Sequence, residues 1–231
     1  MKLGVNIKPS TPWNPSKDKK LAFWLAFDTK QDVTDARLET WHNNVAGSEI
    51  QWAQEEPDNC PMKLAAGGID FDATSNHYIT GSQLTITGEF AIGIKFKVED
   101  ATASNDVLFG DITSNNNFIR LNDQNTIGMK ISSTQKVFDL DTASEFTAGT
   151  THVLVINRDS NDLISVWWNG TKQADQETQA GSLLLDGMGA RAAITNYFSG
   201  VIYEFVVIEG TGTGENGADN LLSKHLTSIP S

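Results

Sequence analysis

Apolar side chains recur at every second position in many short stretches of this 231-residue chain. Such spacing is typical of β-strands, in which consecutive side chains point to opposite faces. Turn-forming residues, such as Asn-Gly at 169–170, separate the stretches. The pattern predicts strands over residues 21–28, 90–100, 106–112, 117–123, 126–132, 151–159, 162–168 and 200–209. Many short strands without interleaved helices predict an all-β fold: an antiparallel sandwich, jelly roll or barrel.

Two adjacent tryptophans end one predicted strand, so they must point to opposite faces. Ile164 and Val166 share a face with Trp168, which predicts that Trp168 lies in the core. The face of Trp167 includes Ser165 and is expected to be more exposed. Trp167 is therefore either covered by a neighbouring strand or loop, or it is an aromatic platform for a partner protein or a sugar ring.

One helix is predicted near the carboxyl terminus, over residues 215–229, because leucines recur there at helical spacing. These leucines are Leu221, Leu222 and Leu226. Asp219 or Asn220 can cap the start of the helix.

The first 20 residues have a net charge of +4, although the whole chain has a net charge of −12. Prolines at positions 9, 12 and 15 disfavour both helix and central strand in this segment. Its lysines are Lys2, Lys8, Lys17, Lys19 and Lys20. A disordered terminus is one interpretation. The other is an extended arm over residues 1–20, in which the lysines and Trp13 bind a partner and residues 21–231 form a sandwich that folds alone.

Several function classes do not fit this composition. The acidic balance argues against a nucleic-acid-binding surface, which needs clustered Lys and Arg. No apolar run is long enough for a membrane span or a signal-peptide core, so no membrane partner and no cleaved secretion signal are expected. A single cysteine excludes an internal disulfide framework.

Five segments resemble concanavalin A-like (laminin-G-like) jelly rolls of the kind found in tailed-phage structural proteins. They are LAFWLAFD (21–28), ETWHN (39–43), GGIDFDATSNHYIT (67–80), VLVINRDSNDLISVWWNGT (153–171) and FSGVIYEFVVIEG (198–210). Their order and spacing carry the resemblance, which implies a two-sheet β-sandwich of roughly a dozen strands.

No catalytic constellation is evident in the sequence. Glucanases of this fold resemble one another in a Glu-x-Asp-x-x-Glu strand, which this chain lacks, and no histidine accompanies a Gly-x-Ser-x-Gly motif. Neither a cofactor nor a metal site is expected. The one candidate for calcium, or for a ligand or partner surface together with Trp167, is the segment 110–125. It supplies Asp111, Asn115, Asn116, Asn117, Asn122 and Asp123.

We therefore expect a non-enzymatic phage virion structural protein, a capsid decoration or head/tail accessory protein assembled in the host cytoplasm. Its partner would be a capsid or tail protein of the same virion, and a homo-oligomer is open. The alternative is a carbohydrate-binding, lectin-like module that attaches to a host surface glycan. A glycan-cleaving enzyme is a third hypothesis, because this fold also hosts such enzymes.

Overall fold

The computed structural model describes residues 13–27, 29–99, 105–141, 146–192, 194–210 and 217–231. These residues form antiparallel strands, three short 3-10 turns and one α-helix. The strands are β1 (Leu21–Leu25), β2 (Gln31–Thr34), β3 (Arg37–His42), β4 (Gln51–Ala53), β5 (Met62–Lys63), β6 (Ile69–Phe71), β7 (Ile79–Ile86), β8 (Phe90–Val98), β9 (Asp106–Gly110), β10 (Phe118–Asp123), β11 (Thr126–Ile131), β12 (Thr134–Asp139), β13 (Thr151–Arg158), β14 (Leu163–Trp168), β15 (Thr171–Thr178), β16 (Leu183–Met188) and β17 (Gly200–Glu209). The helix is α1 (Ala218–Ser228), and the 3-10 turns are Pro15–Lys17, Pro57–Asn59 and Ala73–Ser75.

The strands form two layers, which we call sheet A and sheet B. In sheet A, β1 and β6 pair with the same edge of β17, and the order continues β17-β8-β13-β14-β15. In sheet B the order is β2-β3-β4-β7-β16-β9-β10-β11-β12. The short strand β5 pairs with β3 and with β6, so it links the two layers at one edge. This is the β-sandwich that the sequence predicts.

The main core lies between the two sheets and is rich in aromatic rings. Phe109 of β9 stacks on Phe205 of β17 with ring centroids 4.0 Å apart, although these strands belong to different sheets. Phe23 of β1 packs on Trp52 of β4 at 4.9 Å. Such pairs add a directional contribution to the burial of apolar area, and they fix how the two sheets face each other.

All eight stretches predicted from the sequence contain strands, and the orientation of the tryptophan pair is confirmed. Ile164, Val166 and Trp168 are buried in the core between the sheets. Trp167 is half-buried on the opposite face of β14, where it packs against a second apolar cluster. Trp167 is therefore covered within this chain, and Ser165 beside it is buried as well.

The second apolar cluster lies on the outer face of sheet A, under α1. Its strand residues alternate with core residues along β8, β13 and β17, and Leu222 and Leu226 of α1 complete it. This cover explains why these three strands are apolar on both faces. The predicted helix is thus confirmed, but Gly217 is its N-cap residue, and Asp219 lies inside the first turn, where its carboxylate accepts the N–H of Asn220.

Part of the predicted arm lies against the sandwich. Lys2 and Lys8 are outside the described residues. Trp13 is half-buried against the second apolar cluster, and its ring meets that of His225 edge to face at 6.0 Å. Further along, the carbonyl of Lys20 accepts the N–H of Glu209. The carboxyl-terminal part of residues 1–20 is therefore folded with the sandwich and is not a free extension of it.

The only α-helix among the described residues is α1, with 11 residues. Within this part of the chain no helix has the length and apolar character needed to span a bilayer.

Candidate functional site

The two outer faces of the sandwich differ. The outer face of sheet A is covered by α1, whereas no helix among the described residues packs on that of sheet B. Along β10, Ile119 and Leu121 point into the core, so Phe118 and Arg120 point outward. On the neighbouring strand, Lys130 pairs with Phe118 and also points outward. Aromatic and basic side chains are thus adjacent on the outer face of sheet B.

Three cationic side chains surround the ring of Phe118. The guanidinium carbons of Arg120 and Arg191 each lie 4.8 Å from the ring centroid, and the Nζ of Lys130 lies 5.8 Å from it. All are within the range of a cation–π interaction. Together they cover the ring, which is only 1% exposed. We call Phe118, Arg120, Lys130 and Arg191 the Phe118 cation cluster.

Neutral amides orient the two guanidinium groups. The Nη2 of Arg120 donates to the side-chain oxygen of Asn122 at 2.7 Å. Arg191 donates through Nη1 to the amide oxygen of Asn115 and through Nη2 to that of Asn196, the latter at 3.0 Å. An amide oxygen can hold a guanidinium in place but, unlike a carboxylate, it leaves the positive charge unneutralised.

The charge of the cluster has no anionic partner in the described part of the chain. None of the described carboxylates forms an ion pair with Arg120, Lys130 or Arg191. The Nε atoms of both arginines are buried and lack a hydrogen-bond acceptor. Burial lowers the pKa of both guanidinium groups, and the charge of Arg191 lowers the pKa of Arg120 further.

Two glycines let the arginine side chains lie close to the sheet. A Cβ atom at Gly110 would stand 2.6 Å from the Cβ of Arg191, and one at Gly128 would stand 3.1 Å from the Nε of Arg120. The backbone also holds Arg191, which forms a two-way bridge with Thr195. Within that loop Ile194 has a φ of 55°, an unfavourable value for a β-branched residue. The backbone position of Arg191 is thus fixed by this bridge.

The residues selected from the segment 110–125 do not form a single group. Asn115 and Asn122 are the amide partners of the cluster, as described above. Asn117 is buried and accepts the N–H of Ser132, while Asp123 accepts the N–H of Asn125 in the β10–β11 turn. Trp167 lies on the other sheet. The structure therefore brings only part of the predicted set together.

Asp111 is occupied by its own turn. It is buried, and its two carboxylate oxygens accept four hydrogen bonds from the backbone and hydroxyls of Thr113 and Ser114. Burial opposes the charge, but these hydrogen bonds outweigh it and lower the pKa of Asp111. No group of three or more His, Cys, Asp or Glu side chains suited to a metal is found in the described ranges.

Asp186 of β16 is the carboxyl group that interacts with Asp111. Its Oδ1 accepts the N–H of Ile112 at 2.6 Å, and burial, together with the charge of Asp111, raises its pKa. Both carboxyl groups are more than 90% buried. A glycosidase needs an acid and a base on either side of an accessible bond, and this buried pair does not provide that arrangement.

A polar groove of about 510 Å³ lies elsewhere on sheet B, at β3 and β4. Its lining includes Asp35, Arg37, Glu39, Gln51, Glu55 and Cys60. The Cys60 thiol donates weakly to backbone carbonyls, and burial and then the charge of Glu39 raise its pKa, which disfavours the reactive thiolate. None of the described residues that line this groove is aromatic, so these residues offer hydrogen bonds without a stacking platform.

The sequence pattern did not select Arg120, Lys130 or Arg191. Two of the three were within reach of pattern reasoning, because Arg120 and Lys130 occupy outward positions of adjacent predicted strands in an acidic chain. Arg191 follows a strand that the pattern did not predict, and only the pairing of β16 with β9 brings it to Phe118.

Comparisons with known proteins establish the likeness of this chain at the level of fold. No protein-family model matches it, and no curated protein matches it in sequence. Among solved structures, domain 4 of AbnA, an extracellular GH43 arabinanase from Geobacillus stearothermophilus, in complex with arabinotriose, is 18% identical with a TM-score of 0.50. The match covers 92% of this chain and 98% of that domain.

Two toxin domains have the same likeness. The binding domain of Paraclostridial Mosquitocidal Protein 1 is 13% identical over 90% of this chain, with a TM-score of 0.53. The binding domain of botulinum neurotoxin serotype D is 10% identical over 89%, with a TM-score of 0.50. This chain spans about half the length of both toxin domains, 51% in each case. At these identities the likeness is one of fold, and by fold this chain is similar to β-sandwich domains of a glycan-degrading enzyme and of protein toxins.

Proposed function

We propose that this protein is a non-enzymatic carbohydrate-binding module whose binding surface is the outer face of sheet B around the Phe118 cation cluster. The observation that carries the proposal is a sheet face on which no described helix packs and on which planar hydrogen-bonding side chains are held in fixed orientations. The fold adds support, because the arabinanase domain described above is in complex with arabinotriose and the toxin domains are described as binding domains.

The chemistry of the surface suits a sugar. Saccharides present neighbouring hydroxyl groups, each of which can accept and donate hydrogen bonds. Guanidinium and amide groups offer several donors or acceptors in one plane and so can bind two hydroxyls at once. Because Phe118, Asn115 and Asn122 already hold the two arginines, little side-chain freedom is lost on binding.

The non-enzymatic part of the proposal rests on the carboxyl groups near this surface. Asp111 is used by its own turn, and Asp186 is buried and hydrogen-bonded to the backbone. Neither carboxyl group can donate a proton to a glycosidic oxygen at the surface unless the turn that contains Asp111 rearranges. Incubation of a bound glycan with the protein, followed by chromatography, is expected to return the glycan uncleaved.

A place in a phage virion stays a prediction from the sequence resemblance. None of the solved structures described above is a phage protein. Mass spectrometry of purified particles from the source of the gene would test that prediction independently of glycan binding.

A glycan array probed with the full chain tests the proposed function. We expect binding to at least one glycan class, and loss of that binding in the double variant Arg120→Gln/Arg191→Gln. The matched control is Arg37→Gln, because Arg37 is exposed on β3 and lines the polar groove. Binding that survives the double variant but not Arg37→Gln would move the site to the groove. Binding to no glycan on the array would refute the proposed function.

A further inference from the structure

We infer that the glycan bound at the Phe118 cation cluster carries an acidic group, a carboxylate or a sulfate, which Arg120, Lys130 and Arg191 hold together. This inference rests on the proposed function and specifies the ligand class of the same surface.

Three positive charges converge at the cluster, and no described carboxylate neutralises them. The chain contains 29 acidic and 17 basic Lys and Arg residues, so acidic side chains are the more abundant partners. Two other cations meet carboxylates, Lys136 with Glu177 and Arg158 with Asp162. The buried Lys95 donates to the backbone carbonyl of Ile229, but it is a single charge and not one of three. At the cluster the described partners are amides. Mutual repulsion of the cations disfavours this arrangement unless an anion completes it.

Donors remain free on the solvent side of the cluster. The Nη1 of Arg120 and the Nζ of Lys130 donate no hydrogen bond to the described residues and, unlike the Nε atoms of the two arginines, are not buried. Since both guanidinium groups lie against one ring, an anion beside that ring is within reach of both. Charge-assisted hydrogen bonds from guanidinium to carboxylate or sulfate are about twice as strong as neutral ones.

The charge of the whole chain limits which anion can approach the cluster. Apart from the cluster, the protein is strongly acidic, and its net charge is −12. A dense polyanion such as a nucleic acid, which extends well beyond three cations, would be repelled by this net negative charge. An acidic group on an otherwise neutral saccharide places one charge at the cluster and hydroxyl groups around it. This arrangement matches three cations flanked by Asn115 and Asn122.

The experiment uses the full chain on an array that pairs sialylated, uronic-acid and sulfated glycans with their neutral parents. For each acidic glycan bound, isothermal titration calorimetry then compares that glycan with the same glycan after methyl esterification or desulfation. We expect the acidic form to bind at least about tenfold more tightly. We also expect this preference to fall several-fold when NaCl is raised from about 50 to about 500 mM, because added salt screens the attraction between the charges. A single-stranded hexanucleotide serves as the polyanion control.

Substitutions test which side chains bind the acidic group of the glycan. Arg120→Gln and Arg191→Gln should each lower affinity for the acidic glycan by about tenfold or more, and should lower affinity for its neutral parent less, so that the preference for the acidic form shrinks. Arg37→Gln is the matched control. Because the arginines cover Phe118, the melting temperature of each variant is measured as well. In the unmutated chain, chemical-shift changes on titration should include the backbone amides of Arg120, Lys130 and Arg191, and this readout does not depend on any variant folding.

The outcomes separate the two proposals. Equal binding of acidic and neutral forms, or shifts that avoid the cluster, would overturn this inference while glycan binding stands. Equal binding of the hexanucleotide, lost in the same variants, would replace the glycan with a general polyanion. An array without any bound glycan removes the proposed function and this inference with it.

Discussion

Trp168 is enclosed by other rings at the inner face of β14. His152 stacks on it with centroids 4.7 Å apart, and Phe146 meets it edge to face at 5.0 Å. Burial lowers the pKa of His152 to about 4, so the imidazole is neutral at physiological pH and packs as an apolar ring. The neighbouring Trp167 is only half-buried, at the edge of the cluster under α1.

These two environments predict unequal costs of truncation. Trp168→Ala should lower the free energy of unfolding by about 3–5 kcal/mol, because it leaves a cavity in a close-packed core. Trp167→Ala should cost about 1–2 kcal/mol, because less apolar area is lost. Urea unfolding of the two variants measures both values. Equal losses would mean that Trp167 carries as much of the packing as Trp168.

Asp70 and Asp72 lie two positions apart, and folding shifts their pKa values in opposite directions. Burial, and then the charges of Glu99 and Asp72, raise the pKa of Asp70 to about 6 from 3.8, and its Oδ1 is buried without a donor. Hydrogen bonds from Thr74 lower the pKa of Asp72, although burial opposes this. The folded state therefore favours the protonated form of Asp70 and the ionised form of Asp72.

Asp70→Asn is expected to raise the melting temperature, and the gain should depend on pH. Because the folded pKa is above the unfolded value, the contribution of Asp70 to stability is present below pH 3.8 and is lost as pH rises through about 6. The gain from the amide should therefore be largest above pH 6 and disappear below about pH 4, as measured by calorimetry across this range.

Asp72→Ala is the matched control with the opposite sign. It removes a carboxylate whose stabilising contribution is present at neutral pH and lost in acid, so the variant should melt below the parent at pH 7 and approach it in acid. A lower melting temperature for Asp70→Asn at pH 8 would show that ionised Asp70 is stabilised by contacts that burial does not outweigh.

At the scale of elements, α1 docks on sheet A through close contact with a glycine. A Cβ atom at Gly93 of β8 would stand 2.7 Å from the Cδ1 of Leu226, whereas the atoms of Leu222 are at 3.6 Å. Gly93 therefore sets how near the helix can lie, and Leu226 is fully buried above it.

This contact predicts coupling between the two positions. Leu226→Ala should cost about 2–4 kcal/mol and Gly93→Ala about 1–3 kcal/mol, from a cavity and from overpacking respectively. The double variant should cost at least about 1 kcal/mol less than the total of the two, because the missing leucine makes room for the new methyl group. The double-mutant cycle of Gly93→Ala with Leu222→Ala is the control. It should show weaker coupling, because the atoms of Leu222 lie farther from the new methyl group. Additive costs at 93 and 226 would mean that the helix simply shifts.

At the scale of the whole molecule, residues 13–20 connect the amino-terminal segment to α1 and β17. Trp13 packs beside His225, which in turn meets the buried carboxylate of Glu204 at 2.6 Å. Trp24 also donates its indole N–H to that carboxylate. A segment expected to be an arm therefore contributes to the packing around the helix.

Two truncations separate the parts of this segment. Removal of residues 1–20 should lower the melting temperature by several degrees, because it exposes the apolar cluster under Trp13. Trp13→Ala should reproduce most of this loss, and removal of residues 1–12 is the matched comparison. If the chain without residues 1–20 melts like the full chain, those residues form an arm that is energetically separate from the sandwich, as the sequence analysis expects.

Local chemistry allowed much of the sandwich to be predicted from the sequence. Alternation of apolar residues and turn signals are short-range features, so β8, β13, β14 and β17 and the inward direction of Trp168 could be derived from the chain alone. The helix near the carboxyl terminus followed from leucine spacing in the same way. The edge strands β2 and β15 were missed, because they are mostly polar and have little apolar alternation to detect. The central strands β7 and β16 were missed as well, because their apolar residues do not alternate regularly along the chain.

The candidate site was decided by tertiary structure. Arg120 and Arg191 are far apart along the chain, and they meet only because β16 pairs with β9 and β9 with β10. Likewise, the cover over Trp167 comes from a helix that begins at residue 218. Local patterns specify which face a side chain occupies, whereas long-range strand pairing specifies what lies beside it. The three cations around Phe118 are a consequence of that pairing.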